Sequence, residues 1–432
     1  MFGWEFPPHI SGGLGTACYG LTKGLAQLQD VEVTFVVPKA WGDEDKSNVT
    51  LLGADQLPVI HQQIQFDDAS SKMEYYELRS ELIPYLGTNE FYELKSKISS
   101  GEKRLVELTP EGKIVFEGDY GQHLFQEITN YAVVAESIAR EMDFDVIHVH
   151  DWMCFPAGMA AKRVSGKPLV VHVHSTEFDR CGRFVNTGIC SIEKEGLEAA
   201  DKIIAVSDLT RSIVIGKYNI NRQKVVTVYN AVEPDGSGGT KSAREFTNDK
   251  VVSFLGRITM QKGPEYFIEA ACLVLQKMKN VRFIMAGKGD LLNEMKQKVS
   301  TLNISEYFQF PGFLTDDGIT ELFHQSDVFV MPSVSEPFGI VTLEAMQAGV
   351  PVVISKQSGV SEVVKNAVKV NYWDTQAMAD AIYSLLINWE YGLRLGEKGK
   401  REASKLIWSN AAAKIFKIFH NLQRNASIGK HK

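Results

Sequence analysis

Short apolar runs rich in β-branched residues recur along the chain, separated by segments of helical periodicity: VEVTFVV at 31–37, FDVIHV at 144–149, PLVVHV at 168–173, KIIAVS at 202–207 and KVVTVYN at 224–230. A strand that is apolar on both faces needs cover on both sides, and strands joined through helices lie parallel. The alternation breaks at EPDGSGGTKSAREFTND, residues 233–249, which is poor in apolar side chains. It restarts with VVSFLG (251–256), RFIMAG (282–287), VFVMP (328–332) and PVVIS (351–355). The pattern predicts an α/β chain of two tandem Rossmann-like domains facing a cleft, with ligands at the carboxyl ends of the strands.

The first domain is assigned residues 1–232, with 40–120 as an elaboration that mixes polar, strand-like and aromatic stretches; 233–249 is a linker, 250–404 the second domain and 405–432 a helix with a polar tail from Arg424. A length of 432 residues suits two such domains. A net charge of -7 gives no support to nucleic acid as a partner. The five cysteines, odd in number and without a C-x-x-C pair, suggest neither a disulfide framework nor a zinc site and fit a reducing cytoplasm. With no charged leader ahead of an apolar core and no apolar run of ~18 residues, a cytoplasmic protein without a membrane span is expected.

Near the start, GWEFPPHISGGLGTA (3–17) sets glycines ahead of a helical stretch. Gly13, Gly15 and Cys18 stand where G-x-G-x-x-G places its glycines, so the dinucleotide fingerprint is incomplete, and the second strand ends in Pro38 and Lys39 where a ribose-binding acid belongs. The remaining readings are a bare turn, or backbone N–H groups lining a cleft at a helix N-terminus, where the dipole favours phosphate. GSGGTKSA (236–243) misses the P-loop spacing because Thr240 separates Gly239 from Lys241.

His148 with His150, and His172 with His174, form two H-x-H pairs at the ends of apolar strands. Alternation puts both members of a pair on one face. No matching His, Cys or acid spacing accompanies them, so the expectation is core histidines rather than a metal site, with the last of each pair, and Asp151 after the first, lining the cleft. GRITMQKG (256–263) puts Arg257 and Lys262 in the loop after the first strand of the second domain. A guanidinium fork and an ammonium there suit a diphosphate, although charges at strand ends are often only solvated.

In SVSEPFGIVTLEAMQAGVPVVIS (333–355), Pro337 and Gly339 mark a turn, IVTLEAMQA is a short helix, and Gly349 with Pro351 ends it. Glu336 precedes the helix and Glu344 lies in its second turn, at most ~12 Å away at the helical rise. That separation suits two carboxylates holding hydroxyls at opposite ends of a nucleotide diphosphate sugar, with the first amides, Gly339, Ile340 and Val341, facing the phosphates. Glu344 also reads as a solvated helix charge; Glu336, in a proline-bounded turn, does so less readily.

Taken together, S-G-G-L-G-T, H-V-H-D-W, V-H-V-H-S, G-R-I-T-M-Q-K-G, the E-x7-E of SEPFGIVTLEAM and SGVSEVV (358–364) resemble, in order and approximate spacing over about residues 3–400, the retaining glycosyltransferases of the GT-B fold, in the glycogen and starch synthase-like branch. The resemblance implies a nucleotide-sugar donor held mainly by the second domain and an α-glucan or other carbohydrate acceptor entering from the first. It implies that Arg257 and Lys262 stabilise the leaving diphosphate, Glu336 meets the donor sugar, Glu344 the ribose, His174 the transferred sugar, and Gly12 and Gly13 the phosphates. It further implies no metal, no cofactor, and a terminal helix crossing back to the first domain. Ser11 and Met153 depart from the lysine and histidine of the bacterial glycogen and starch synthases, and only Met1–Gly3 precede the loop as a first strand, so either that strand is very short or the start is truncated. The expected activity is glucose transfer from ADP- or UDP-glucose to the end of an α-glucan; the rivals are a transferase with another acceptor, a nucleotide-sugar epimerase and a non-catalytic glucan-binding protein.

Overall fold

The computed structural model describes residues 1–10, 12–58, 109, 112–182, 184–233 and 249–429. Ser11, most of the 40–120 elaboration, GSGGTKSA and all but the ends of the 233–249 linker lie outside these residues.

The first sheet contains β1 (Thr34–Val37), β2 (Thr50–Gly53), β3 (Ile147–His150), β4 (Leu169–Val173), β5 (Lys202–Ala205) and β6 (Val225–Thr227). β1 pairs with β2, and β3 to β6 pair in sequence, all in parallel. Residues 1–3 fill the slot between β1 and β3. There the Gly3 N–H donates to Val36 O at 3.0 Å, Phe2 N–H to His148 O at 2.8 Å and His150 N–H to Phe2 O at 3.0 Å. Three residues thus do the work of a strand, because both neighbours hold them. The order reverses at this slot, so the loop after Trp4 and the turn at Asp151 meet at the carboxyl edge.

The second sheet holds β7 (Lys250–Leu255), β8 (Val281–Ala286), β9 (Phe308–Gly312), β10 (Val328–Met331), β11 (Val352–Ser355) and β12 (Val368–Val370), all parallel, in the order β12-β11-β10-β7-β8-β9. This is the doubly wound arrangement, whose reversal falls between β7 and β10. The segments that leave those two strands carry GRITMQKG and SVSEPFG.

Each sheet buries apolar side chains on both faces. Val171, Ile203 and Trp152 sit in one cluster of the first domain, while Val170 and Ile204, on the opposite face, pack with Leu21 and Leu25 of the helix Gly13–Ala26 and with Trp408, Ala412 and Ile415. Those last three belong to the helix Trp408–Gly429, so the C-terminal helix packs on the first domain. It also continues beyond Arg424, where a polar tail was expected, because no helix-breaking residue intervenes before Gly429 and adding residues to a docked helix costs little. Among the described residues no helix is long and apolar enough to cross a membrane, and all five cysteines are free.

Candidate active site

After β10 the chain makes the proline-bounded turn 332–339, stitched to the loop after β11: Glu336 N–H donates to Gln357 O at 3.0 Å and Gly359 N–H to Glu336 O at 2.9 Å. The Glu336 side chain is buried, and its Oε2 accepts from Lys262 Nζ at 2.7 Å and from Ser333 Oγ at 3.0 Å. Lys262 arrives from the loop after β7, on the single turn Met260–Lys262. The structure therefore brings together two residues singled out separately in the sequence. Arg257, half-buried, stands on the same loop, whose Ile258 N–H donates to Lys288 O at 2.8 Å. The Gly287–Asp290 loop beside it escaped sequence reasoning, though a G-x-G after an apolar strand was a signal for it.

Gly339 sits at φ 101, in the left-handed region where a Cβ is penalised, and closes the turn. The helix Ile340–Gln347 begins there with no side chain capping it. Gly339, Ile340 and Val341 are thus the amides at an electropositive helix end next to the lysine–glutamate pair. Glu344, half-buried in the following turn, is pushed up to about 7 by withdrawal from water and secondarily by the Asp316 carboxylate. Because the folded protein holds this proton more tightly than the unfolded chain, whose carboxyl titrates near 4.5, stability is lost as pH rises from 4.5 to about 7. Glu344→Gln is expected to stabilise by about 1–2 kcal/mol at pH 8 and by almost nothing below pH 5. Urea unfolding at both pH values checks this, and an equal effect at the two would refute it.

On the first domain, His174 directly follows β4 and is 9% exposed; burial pushes its pKa down to about 3, so the imidazole is neutral at physiological pH. Its Nε2 lies 3.0 Å from His150 Nδ1. Asp151 was expected to line the cleft, but it is turned inward: the carboxylate accepts the His174 N–H at 2.6 Å and the Ser175 N–H at 3.2 Å, and burial raises it to about 6. It fixes the end of β4 because two strand-end amides there would otherwise lack an acceptor. His150, fully buried, is likewise beneath the cleft surface rather than in it. Gly12 is the N-cap and Gly13 the first residue of the helix Gly13–Ala26, again with no side-chain cap, and a Cβ at either would touch nothing within 4 Å.

Below His174, the guanidinium of Arg180 binds Glu177 at 3.2 Å and Glu193 at 2.7 Å, all three buried, and Tyr218 donates its hydroxyl to Glu193. Burial pushes Glu193 up to about 7. Asp179 caps the same segment through the Thr176 N–H at 2.8 Å and accepts from Ser335 Oγ of the second domain at 2.6 Å. A second bridge between domains runs from Glu362, whose carboxylate accepts the N–H groups of Asp208 and Leu209 at 2.8 Å each. Gly359 permits this approach: a Cβ there would lie 2.2 Å from Pro337 O and 2.5 Å from Ser207 Cβ. Ser333 and Ser335 fall within SVSEPFG and Glu362 within SGVSEVV, but the motifs single out none of them, nor Asp179.

Two doubly wound sheets that meet at their switch points, with a lysine–glutamate pair and an uncapped helix end between them, define the GT-B architecture of nucleotide-sugar transferases. Residues 240–402 match the model described as glycosyl transferases group 1, and residues 110–235 that of glycosyltransferase family 4. The chain belongs to the group 1 glycosyltransferases. An uncharacterized glycosyltransferase of Methanocaldococcus jannaschii is 27% identical across 97% of both chains. Alpha-maltose-1-phosphate synthase of Mycolicibacterium smegmatis is 30% identical over 64% of this chain and 79% of its own length. Among solved structures, sucrose-phosphate synthase from Thermosynechococcus elongatus superposes with a TM-score of 0.70 at 17% identity, covering 95% of this chain and 94% of that one.

Proposed function

We propose that the protein is a retaining, metal-independent glucosyltransferase that moves glucose from ADP- or UDP-glucose to the non-reducing end of an α-glucan. The observation that carries this reading is the contact of Lys262 with Glu336 at 2.7 Å, at the switch point and beside the uncapped start of the helix Ile340–Gln347. In this reading Glu336 meets hydroxyls of the donor sugar and Glu344 the ribose. Lys262, Arg257 and the amides of Gly339, Ile340 and Val341 hold the diphosphate. Gly12 and Gly13 approach the phosphates from the first domain, and the neutral His174 hydrogen-bonds the transferred sugar.

As the bond from C1 to the diphosphate oxygen breaks, negative charge gathers on the leaving group, where preorganised cations and amide dipoles stabilise it most. The acceptor oxygen bonds to C1 from the same face, and its proton passes to the departing diphosphate, so the anomeric configuration is kept. Positive groups of the protein take the place of a metal, and turnover should not change when Mg2+ is added. Incubation with each donor and glycogen should release nucleoside diphosphate and lengthen the chains with α linkages. Absence of turnover with either donor and any glucan would overturn the glucan assignment.

A second reading keeps the chemistry and changes the acceptor to a small sugar phosphate. It is favoured by the names of two similar proteins, an alpha-maltose-1-phosphate synthase and a sucrose-phosphate synthase, both of which make phosphorylated disaccharides. A panel of hexose phosphates in the same assay separates it from the first.

A further inference from the structure

The strands β3 and β4 carry more histidine than the transfer reaction uses. His148 and His150 alternate along β3, His172 lies in β4 and His174 directly follows that strand, and His150 pairs with His172 in register, so the four rings form a staggered array on one sheet face. All four are buried. Ring centroids lie 4.3 Å apart for His148 and His150 and 5.3 Å apart for His172 with each of them. The C-terminal helix covers the array, with Phe419 edge-on to His148 at 5.4 Å.

Apart from the contact of His150 Nδ1 with His174 Nε2 at 3.0 Å, no ring nitrogen of the array has a protein partner: both nitrogens of His148 and of His172, Nε2 of His150 and Nδ1 of His174 are buried without one. A buried polar group without a partner is costly, and six in one place call for an ion or ordered water. One nitrogen from each of His148, His150 and His172 lies within 4.8 Å of the other two. Neutral imidazoles of this kind, two from alternate positions of one strand and a third from its neighbour, are ligands suited to zinc and the later first-row divalent ions. His150 also makes the outward hydrogen bond, here to His174, that fixes the tautomer of a metal-bound histidine.

We propose that His148, His150 and His172 bind one divalent transition-metal ion of the zinc class, a structural site inside the first domain that takes no part in the leaving-group chemistry. The ion ties β3 to β4 and, through His150, sets the orientation of His174. Sequence spacing alone concealed it, because the third ligand lies on a separate strand 22 positions beyond the second.

The test is elemental mass spectrometry on protein refolded with zinc and then freed of loosely held metal. About one equivalent per chain is expected, and cobalt in its place should give the visible d–d absorption of a four-coordinate site. Zinc should raise the Tm of metal-free protein by about 5 °C. His148→Leu and His172→Leu, neither placed in the transfer chemistry, should both lose the metal and the Tm response. The proposal is overturned if the wild-type chain takes up neither zinc nor cobalt on refolding, which leaves ordered water as the occupant, or if a folded variant keeps a full equivalent. Should a variant fail to fold, the wild-type stoichiometry and cobalt spectrum decide.

Discussion

Lys262→Ala is expected to lower kcat/KM by about 10^3-fold, the loss seen when one preorganised charge-stabilising donor is removed from a transition state. The ammonium is 2.7 Å from the Glu336 carboxylate and only partly exposed, so it is positioned before donor arrives and its loss cannot be made good by water. Glu336→Gln should cost a comparable factor, through the sugar rather than the phosphates. Because the two residues touch, the double variant should lose much less than the product of the single losses. The deficit should fall in kcat, with donor KM changed by less than tenfold, since the charge answered by Lys262 grows as the bond breaks. Steady-state kinetics with far-ultraviolet circular dichroism as a fold check would decide; a variant within tenfold of wild-type kcat would remove Lys262 from the leaving-group role.

The largest stability effect is expected at Arg180. One guanidinium there serves two buried carboxylates, Glu177 at 3.2 Å and Glu193 at 2.7 Å. Breaking a buried pair from one side strands the remaining charge, which typically costs 3–5 kcal/mol, or about that much for Arg180→Ala. The loss has a predictable pH sign. Without the cation the Glu193 carboxyl, already pushed up by burial, holds its proton more tightly still when folded, so the variant loses stability as pH rises above the unfolded carboxyl range and recovers part of it on acidification. Urea unfolding at pH 5.5 and 8 should show the larger deficit at pH 8; a deficit independent of pH would mean that lost packing, not stranded charge, dominates. Arg180→Lys should rescue only in part, since an ammonium cannot span both acids as the planar fork does.

The strands legible in the sequence are those in the middle of the sheets and, at one edge, β6. PLVVHV becomes β4, buried at all five positions, and VFVMP becomes β10, buried at all four, because a parallel strand between two others touches helices on both faces. The strands that were not read, β2, β9 and β12, are all edges. β9 is FQFPG, with Phe308 buried and Gln309 exposed, and it carries Pro311, which an interior strand would exclude. The short slot strand, residues 1–3, is fixed by its neighbours rather than by its own composition.

The site was legible in kind but not in pairing. Glycine and proline punctuation located the turn before Ile340, and the strand-end rule located Lys262, yet their contact spans 74 positions and only the fold brings it about. Asp151 shows the opposite failure. Its place after an H-x-H pair suggested a cleft residue, whereas two orphan amides at the end of β4 claim the carboxylate. Ser335 and Asp179 meet across 156 positions, a contact that no local pattern marks, whereas Ser333 stands only three positions from the Glu336 it bonds.

The Glu362 carboxylate closes the first turn of a helix that belongs to the other domain. Those two amides are therefore protected only while the domains are together. Each separation of the halves uncovers them, and deuterium uptake at Asp208 and Leu209 becomes a clock for the opening of the cleft. Uptake at Thr210, capped from within by Ser207 Oγ at 3.0 Å, supplies the reference that does not tick with it.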